Sequence, residues 1–234
     1  MFELKKIEAE WRARMHKALS FDGEDDYVRV PDDPSLNITD AITVVVWVYY
    51  KKNPDEWPAF VSKWSIDIGY MMWQRANLNI AFGVWDEAGN DYTAGEIPLT
   101  EGWHHLVGVY DPSLSSDNVK LYVNGKQTGQ TSDFTGKIST TTNPLYVGRV
   151  SNQYFSGIIA HVSIYNRALS SSEIKYLYHN PFDPIDPEHL VLWLNPAGID
   201  VANSKWWDLS GKGNHGTIHG ATEVKLVEEE IEIR

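Results

Sequence analysis

Residues 42–50 read Ile-Thr-Val-Val-Val-Trp-Val-Tyr-Tyr, and every one of these positions is β-branched or aromatic. Such side chains fit a pleated surface, and the absence of polar alternation is the pattern of a strand buried on both faces. From residue 19 to about 177 the chain continues as short β-rich runs separated by Gly, Asp, Asn and Pro. Further strands are expected at 59–63, 70–74, 78–85, 103–110, 119–123, 145–147 and 158–165. Asn124-Gly125 after Lys120-Leu121-Tyr122-Val123 marks a two-residue hairpin, because both residues tolerate positive φ. One short helix closes the region. Ser170 and Glu173 have capping-box spacing, and Ile174, Leu177 and Tyr178 supply the apolar face. The three prolines Pro181, Pro184 and Pro187 then favour an extended linker. Many strands with turn signals between them place the chain among the all-β sandwiches and barrels.

The 234 residues, 42% hydrophobic and 22% charged, suffice for one large domain, alone or with appendages. The formal net charge of −12 opposes phosphate and argues against a nucleic-acid partner. Part of that charge sits in Glu228, Glu229, Glu230 and Glu232, a pattern that reads as a solvated tail. There is no cysteine, so disulfides, thiolate metal sites and cysteine nucleophiles drop out together. No membrane span and no secretory signal are visible, and the expected location is extracellular or a virion surface. In residues 2–17, Leu4, Ile7, Trp11 and Met15 recur at helical spacing, which predicts an amphipathic helix packed on its own domain or docked to a partner. Asn37-Ile38-Thr39 is a glycosylation sequon, relevant only on a secretory route.

The strings ALSFDGEDDYVRVPDDPSLNITDAITVVVWV (18–48), GWHHLVGVYD (102–111), VKLYVNGK (119–126), PLYVGR (144–149) and FSGIIAHVSIYNRALSSSEI (155–174) resemble the LamG-like family of laminin-G and concanavalin A-like domains. They cover most of residues 18–180 in the family's order. The resemblance implies an antiparallel two-sheet jelly-roll β-sandwich, usually a non-catalytic module of adhesins, carbohydrate-binding proteins, extracellular enzymes and virion surface proteins. The chain then divides into an N-terminal arm (1–17), a LamG-like jelly roll (18–180), a Pro-rich linker (181–189) and a tail (190–234). In that tail LVLWL (190–194) and DLSGKGNHGTIHGAT (208–222) resemble the opening strands of such a domain, displaced to its end. The tail closes its own sandwich, is donated to a neighbouring subunit, or begins a second copy. Closure is favoured over donation, since an unpaired strand edge is a liability.

The chemical motifs are few. Gly211-Lys212-Gly213-Asn214-His215-Gly216 has the spacing of a dinucleotide fingerprint, but no strand-to-helix context surrounds it, and a turn is the expected reading. His215 and His219 are separated by Gly216, and His104 and His105 point to opposite faces of one strand, so neither pair predicts a metal site. Asp22, Asp25 and Asp26 offer hard oxygen ligands for calcium on a turn-rich segment, against a plain turn-forming role. Some relatives hold a structural calcium between this segment and an acidic pair on a later strand, where this chain has Ala160 and His161. No strand carries the clustered acids of a glucanase, Asp67 and Glu87 stand alone, and no GxSxG elbow is present.

Among ten tryptophans, Trp57, Trp64, Trp73 and Trp85 cluster mid-chain, either as indoles exposed for stacking on sugar or protein, or as core. Trp47 and Trp103 lie in apolar runs and read as core. The leading expectation is a non-enzymatic binding or attachment module for a glycan or cell-surface polymer. The alternative is a structural surface protein, such as a virion decoration or spike subunit, forming homo-oligomers through the N-terminal helix or C-terminal strands. A glycan hydrolase stands third.

Overall fold

The structure, a computed structural model, describes residues 17–52 and 57–226. The predicted helix of residues 2–16 and the acidic tail lie outside the described residues, except that Lys17, expected to end the helix, opens a strand instead. In chain order the strands are β1 (Lys17–Asp22), β2 (Tyr27–Val30), β3 (Ile42–Tyr50), β4 (Ala59–Ser65), β5 (Ile68–Gln74), β6 (Asn79–Trp85), β7 (Asp91–Pro98), β8 (Gly102–Tyr110) and β9 (Val119–Val123). They continue with β10 (Lys126–Ser132), β11 (Leu145–Val147), β12 (Arg149–Val150), β13 (Gln153–Tyr154) and β14 (Ser156–Tyr165). After the helix α1 (Ser171–His179) come β15 (Leu190–Asp200), β16 (Lys205–Asp208), β17 (Gly216–His219) and β18 (Thr222–Lys225).

All pairings are antiparallel, and the ladder runs β15-β16-β17-β2-β11-β4-β5-β6-β7-β10-β9-β8-β3-β14-β1-β18. A further β15–β14 pairing returns the ladder on itself, giving the two facing layers of a jelly roll. At one corner β7 meets β10 through the pair Gly95 and Gln130. A β-carbon on Gly129 would stand 2.0 Å from the Gly95 carbonyl oxygen, so the backbones can approach there only because residue 129 is glycine. At the other corner β15 pairs with β14 through Leu190–Leu194, breaks register, and pairs with β16 through Ile199 and Asp200.

Between the layers lies one core that includes Val44, Val46, Val48, Tyr50, Phe60, Met72, Phe82, Leu106, Leu121 and Trp206. The other face of β3 is covered as well: Val45 packs with Ile174 and Leu177 of α1 and with Leu190, while Trp47 packs with Tyr178. That second cover is why the run at 42–50 needs no polar alternation. The capping box of α1 is present, with the Ser170 hydroxyl accepting from the Glu173 amide and the Glu173 carboxylate accepting from the Ser170 amide. The prolines of 181–187 do not make an extended spacer. They form turns, pinned by the ion pair of Arg167 with Asp186, with Ile185 and Phe182 packed on the sheet. Residues 190–225 pair within the chain: β17 joins β2 through Thr217 and Arg29, and β18 joins β1 through Val224 and Ala18.

Candidate functional site

Strands β4, β5 and β6 carry apolar residues on both faces. Phe60, Tyr70, Met72, Ile80, Phe82 and Val84 point into the core, while Ala59, Met71, Trp73, Ala81 and Trp85 form a separate cluster on the outer face. Register sets small residues beside the large ones. Gly69 lies between Trp64 and Trp85, and Trp73 lies between Ala59 and Ala81. The indoles can therefore lie down on the sheet, and Trp64 and Trp73 each contact Trp85, at centroid separations of 6.1 and 5.8 Å. The β12–β13 hairpin folds over them, fixed by the Ser62 hydroxyl donating to the Arg149 carbonyl and by Val150 packing on the cluster.

What remains open is a groove of about 630 Å³, within the range of small-ligand sites, and all four sequence-flagged tryptophans line it. They are not equivalent. Trp57 is 54% exposed on the rim, Trp64 is a half-buried wall, and Trp73 and Trp85, only 4% and 5% exposed, are floor and not the free indoles that stacking on both faces would need. The polar edge is made by Asp67, Asp91, Ser151, Gln153 and Arg75, the last lying over Trp73 and paired with Glu96 at 3.0 Å. The Trp64 Nε1 and the Thr93 hydroxyl are buried without a hydrogen-bond partner among the described residues. Asp67 stands alone in the sequence, but folding brings Asp91 to the same groove, since β5 and β6 carry Gly69, Trp85 and Asp91 into one row.

A family model described as the Concanavalin A-like lectin/glucanases superfamily matches residues 22–175. The chain belongs to this superfamily. The fold agrees with solved structures of low identity. A protein named for carbohydrate binding from Bacteroides ovatus superposes with a TM-score of 0.70 at 18% identity, covering 90% of this chain and 60% of its own. The heptameric SAP-like pentraxin of Limulus polyphemus gives 0.52 at 15% identity, over 70% of this chain and 82% of its own. The binding domain of Paraclostridial Mosquitocidal Protein 1 gives 0.51 at 17% identity, over 67% and 41%. No curated protein matches the chain. This superfamily member thus spans about three-fifths of the first of those proteins.

Ligand oxygens of Asp22, Asp25 and Asp26 lie within 4.8 Å of one another. Two of the three carboxylates are already engaged by backbone: Asp22 Oδ1 accepts from Glu24 N, and Asp26 Oδ2 accepts from Asp22 N. Burial and the neighbouring acids raise the Asp26 pKa, burial more than offsetting the hydrogen bond from the Asp22 amide. Ser156 stands opposite Asp22, and Ala160 lies four residues further along β14, buried beside Trp47 and Tyr178. The set does not fit the calcium arrangement that the resemblance implied, because calcium takes six to eight oxygens and the later strand supplies no carboxylate. The Gly211–Gly216 string is a turn organised by Asp208, whose carboxylate accepts from Ser210, Asn214 and Trp193 amides. His215 accepts from the Asp208 amide while His219 stacks on Tyr27 at 4.4 Å, so the two do not converge. His104 and His105 are both buried. Among the described residues no helix is long and apolar enough to cross a membrane.

Proposed function

We propose that the chain is a non-catalytic saccharide-binding module of a secreted or surface protein, holding sugar rings in the tryptophan groove. The observation that carries this is the convergence of Trp57, Trp64, Trp73 and Trp85 on one groove edged by Asp67, Asp91 and Gln153. Indoles provide a flat apolar surface for the C–H face of a pyranose, and the carboxylates and amide accept or donate to its hydroxyls. The name of the Bacteroides ovatus protein supports the same reading. A glycan array followed by calorimetry on the best ligand tests it. Retention of a saccharide, weakened by Trp57→Ala, is expected, and failure to retain any saccharide overturns it.

One observation favours a second reading, glycoside hydrolysis: Asp67 and Asp91 line the same groove. A general acid must stay protonated near neutrality, which burial in an apolar pocket provides, and both carboxylates are exposed. Release of reducing ends from a bound oligosaccharide, abolished by Asp91→Asn, would establish hydrolysis in place of binding alone.

A further inference from the structure

Arg149 stands where β11 hands over to the β12–β13 hairpin. Its guanidinium carbon lies 4.7 Å from the ring centroid of Tyr27, 5.1 Å from that of Tyr146 and 5.3 Å from that of Tyr154. Its Nε donates to the Ser151 carbonyl at 2.7 Å. Among the described residues no carboxylate pairs with it, nor with Arg29, which lies opposite Tyr146 on β2. The charges of both act on His219, whose pKa is depressed first by burial and then by Arg29 and Arg149. Two arginines without a carboxylate partner among the described residues are conspicuous in a chain of net charge −12.

The arginine cage shares the outer face with the tryptophan groove. Tyr146 pairs in register with Ser62, and Ser62 with Met71. A second concavity of about 260 Å³, lined by Arg149, Tyr146 and Asn143, shares Trp64, Val150 and Ser151 with the groove. Tyrosine faces hold a guanidinium by cation–π attraction, and with Nε engaged by the Ser151 carbonyl the Nη1–Nη2 edge is the one that can meet the paired oxygens of a carboxylate or a sulfate. Asp67 and Asp91, at the tryptophan end, repel the same anions.

The geometry points to a second subsite, continuous with the tryptophan groove across Trp64, in which Arg149 binds the carboxylate or sulfate of an anionic sugar residue. It rests on the saccharide reading and makes the ligand an acidic glycan, oriented with its charged residue at the Arg149 end and uncharged residues at the tryptophans.

The test uses the full chain on an array of matched acidic and neutral glycans, then calorimetry with an oligogalacturonide against its methyl ester and with a sulfated galactan oligosaccharide against its desulfated form. Binding of one acidic member about tenfold or more above its neutral counterpart is expected, the size of a charge-assisted hydrogen bond. Whichever pair shows the preference identifies carboxylate or sulfate as the anion. Arg149→Gln should erase the preference and leave neutral binding within about twofold, Arg149→Lys should keep part of it, and added salt should weaken only the acidic ligand. Because the salt dependence is read on the unaltered protein, the test stands even where Arg149→Gln folds poorly. Neutral binding that Trp57→Ala weakens, with no acidic preference in either pair or with one that Arg149→Gln leaves intact, overturns the subsite and spares the tryptophan reading. Absence of all saccharide binding overturns both.

Discussion

The indole of Trp73 lies across Gly83: a β-carbon on that glycine would stand 3.0 Å from the ring's Cη2 and 3.0 Å from the Thr93 hydroxyl. The floor of the groove thus depends on a residue without a side chain. Gly83→Val should lift the indole, lower saccharide affinity by about tenfold and cost about 1–3 kcal/mol in stability through overpacking. Calorimetry and tryptophan emission check it, and an altered emission with unchanged affinity would remove Trp73 from the binding surface.

Trp57 and Trp73 should separate binding from stability. Trp57, 54% exposed, has little packing to lose, so Trp57→Ala should weaken binding by about 1–2 kcal/mol and change unfolding free energy by no more than about 0.5 kcal/mol. Trp73→Ala empties a packed site and should destabilise the fold by about 3–5 kcal/mol. Equal stability losses in urea titrations would show that the rim and floor are not distinct.

Lys63 is buried, and its Nζ donates to Asp32 Oδ1 at 2.7 Å and to the carbonyls of Asn143 at 2.9 Å and Thr141 at 3.0 Å. Lys63→Met leaves these acceptors unmet and should cost about 3 kcal/mol at pH 7. The hydrogen bond from Lys63 is the main cause holding the Asp32 pKa below its ordinary 3.8. The carboxylate therefore contributes stability above pH 3.8 that is lost as pH falls through its lower folded value, and the Lys63→Met penalty should shrink in acid. A penalty that is flat between pH 7 and pH 2 contradicts the pairing.

His105 and His161 flank Trp47 on adjacent strands, and burial is the chief cause of the depression of their pKa values to about 3 and about 4. Above pH 6.5 both are neutral whether the chain is folded or not. Below it the unfolded chain takes up protons that the folded one refuses until pH 4 to 3, so stability should fall with acidification across that window, by up to about 1.4 kcal/mol per pH unit for each histidine. His161→Gln should reduce the slope between pH 6 and pH 4.5 by up to about 1.4 kcal/mol per pH unit, and an unchanged slope would assign the acid sensitivity elsewhere.

The aspartate cluster should not respond to calcium. With Asp22 and Asp26 capping backbone amides and Ser156 opposite Asp22, addition of 10 mM calcium, roughly a saturating level for weak extracellular sites, should leave the melting temperature unchanged. A rise of several degrees, reversed by chelation, would show a bound ion.

Local sequence determined much of the fold because the relevant signals act within a few residues. The composition of 42–50 required cover on both faces, Asn124-Gly125 set a hairpin, and Ser170 with Glu173 started a helix. Strands β7 and β10 escaped notice, since Gly95 and Pro98 interrupt one and polar residues fill the other, which lies exposed at a corner where backbone pairing and not side-chain burial holds it.

For the site, the sequence by itself determined that tryptophans crowd one stretch of chain. Only the tertiary structure decided their roles, because sheet register, setting Gly69, Gly83 and Ala81 beside the indoles, buries Trp73 and Trp85 and leaves Trp57 in solvent. The arginine cage had no local signal at all. Tyr27 arrives from β2, Tyr146 from β11 and Tyr154 from the hairpin, and no spacing rule links residues that meet only when long-range pairing closes the sandwich. Likewise, the motif at 208–222 announced strands, but which edge they join was decided by pairing across most of the chain's length, Thr217 against Arg29.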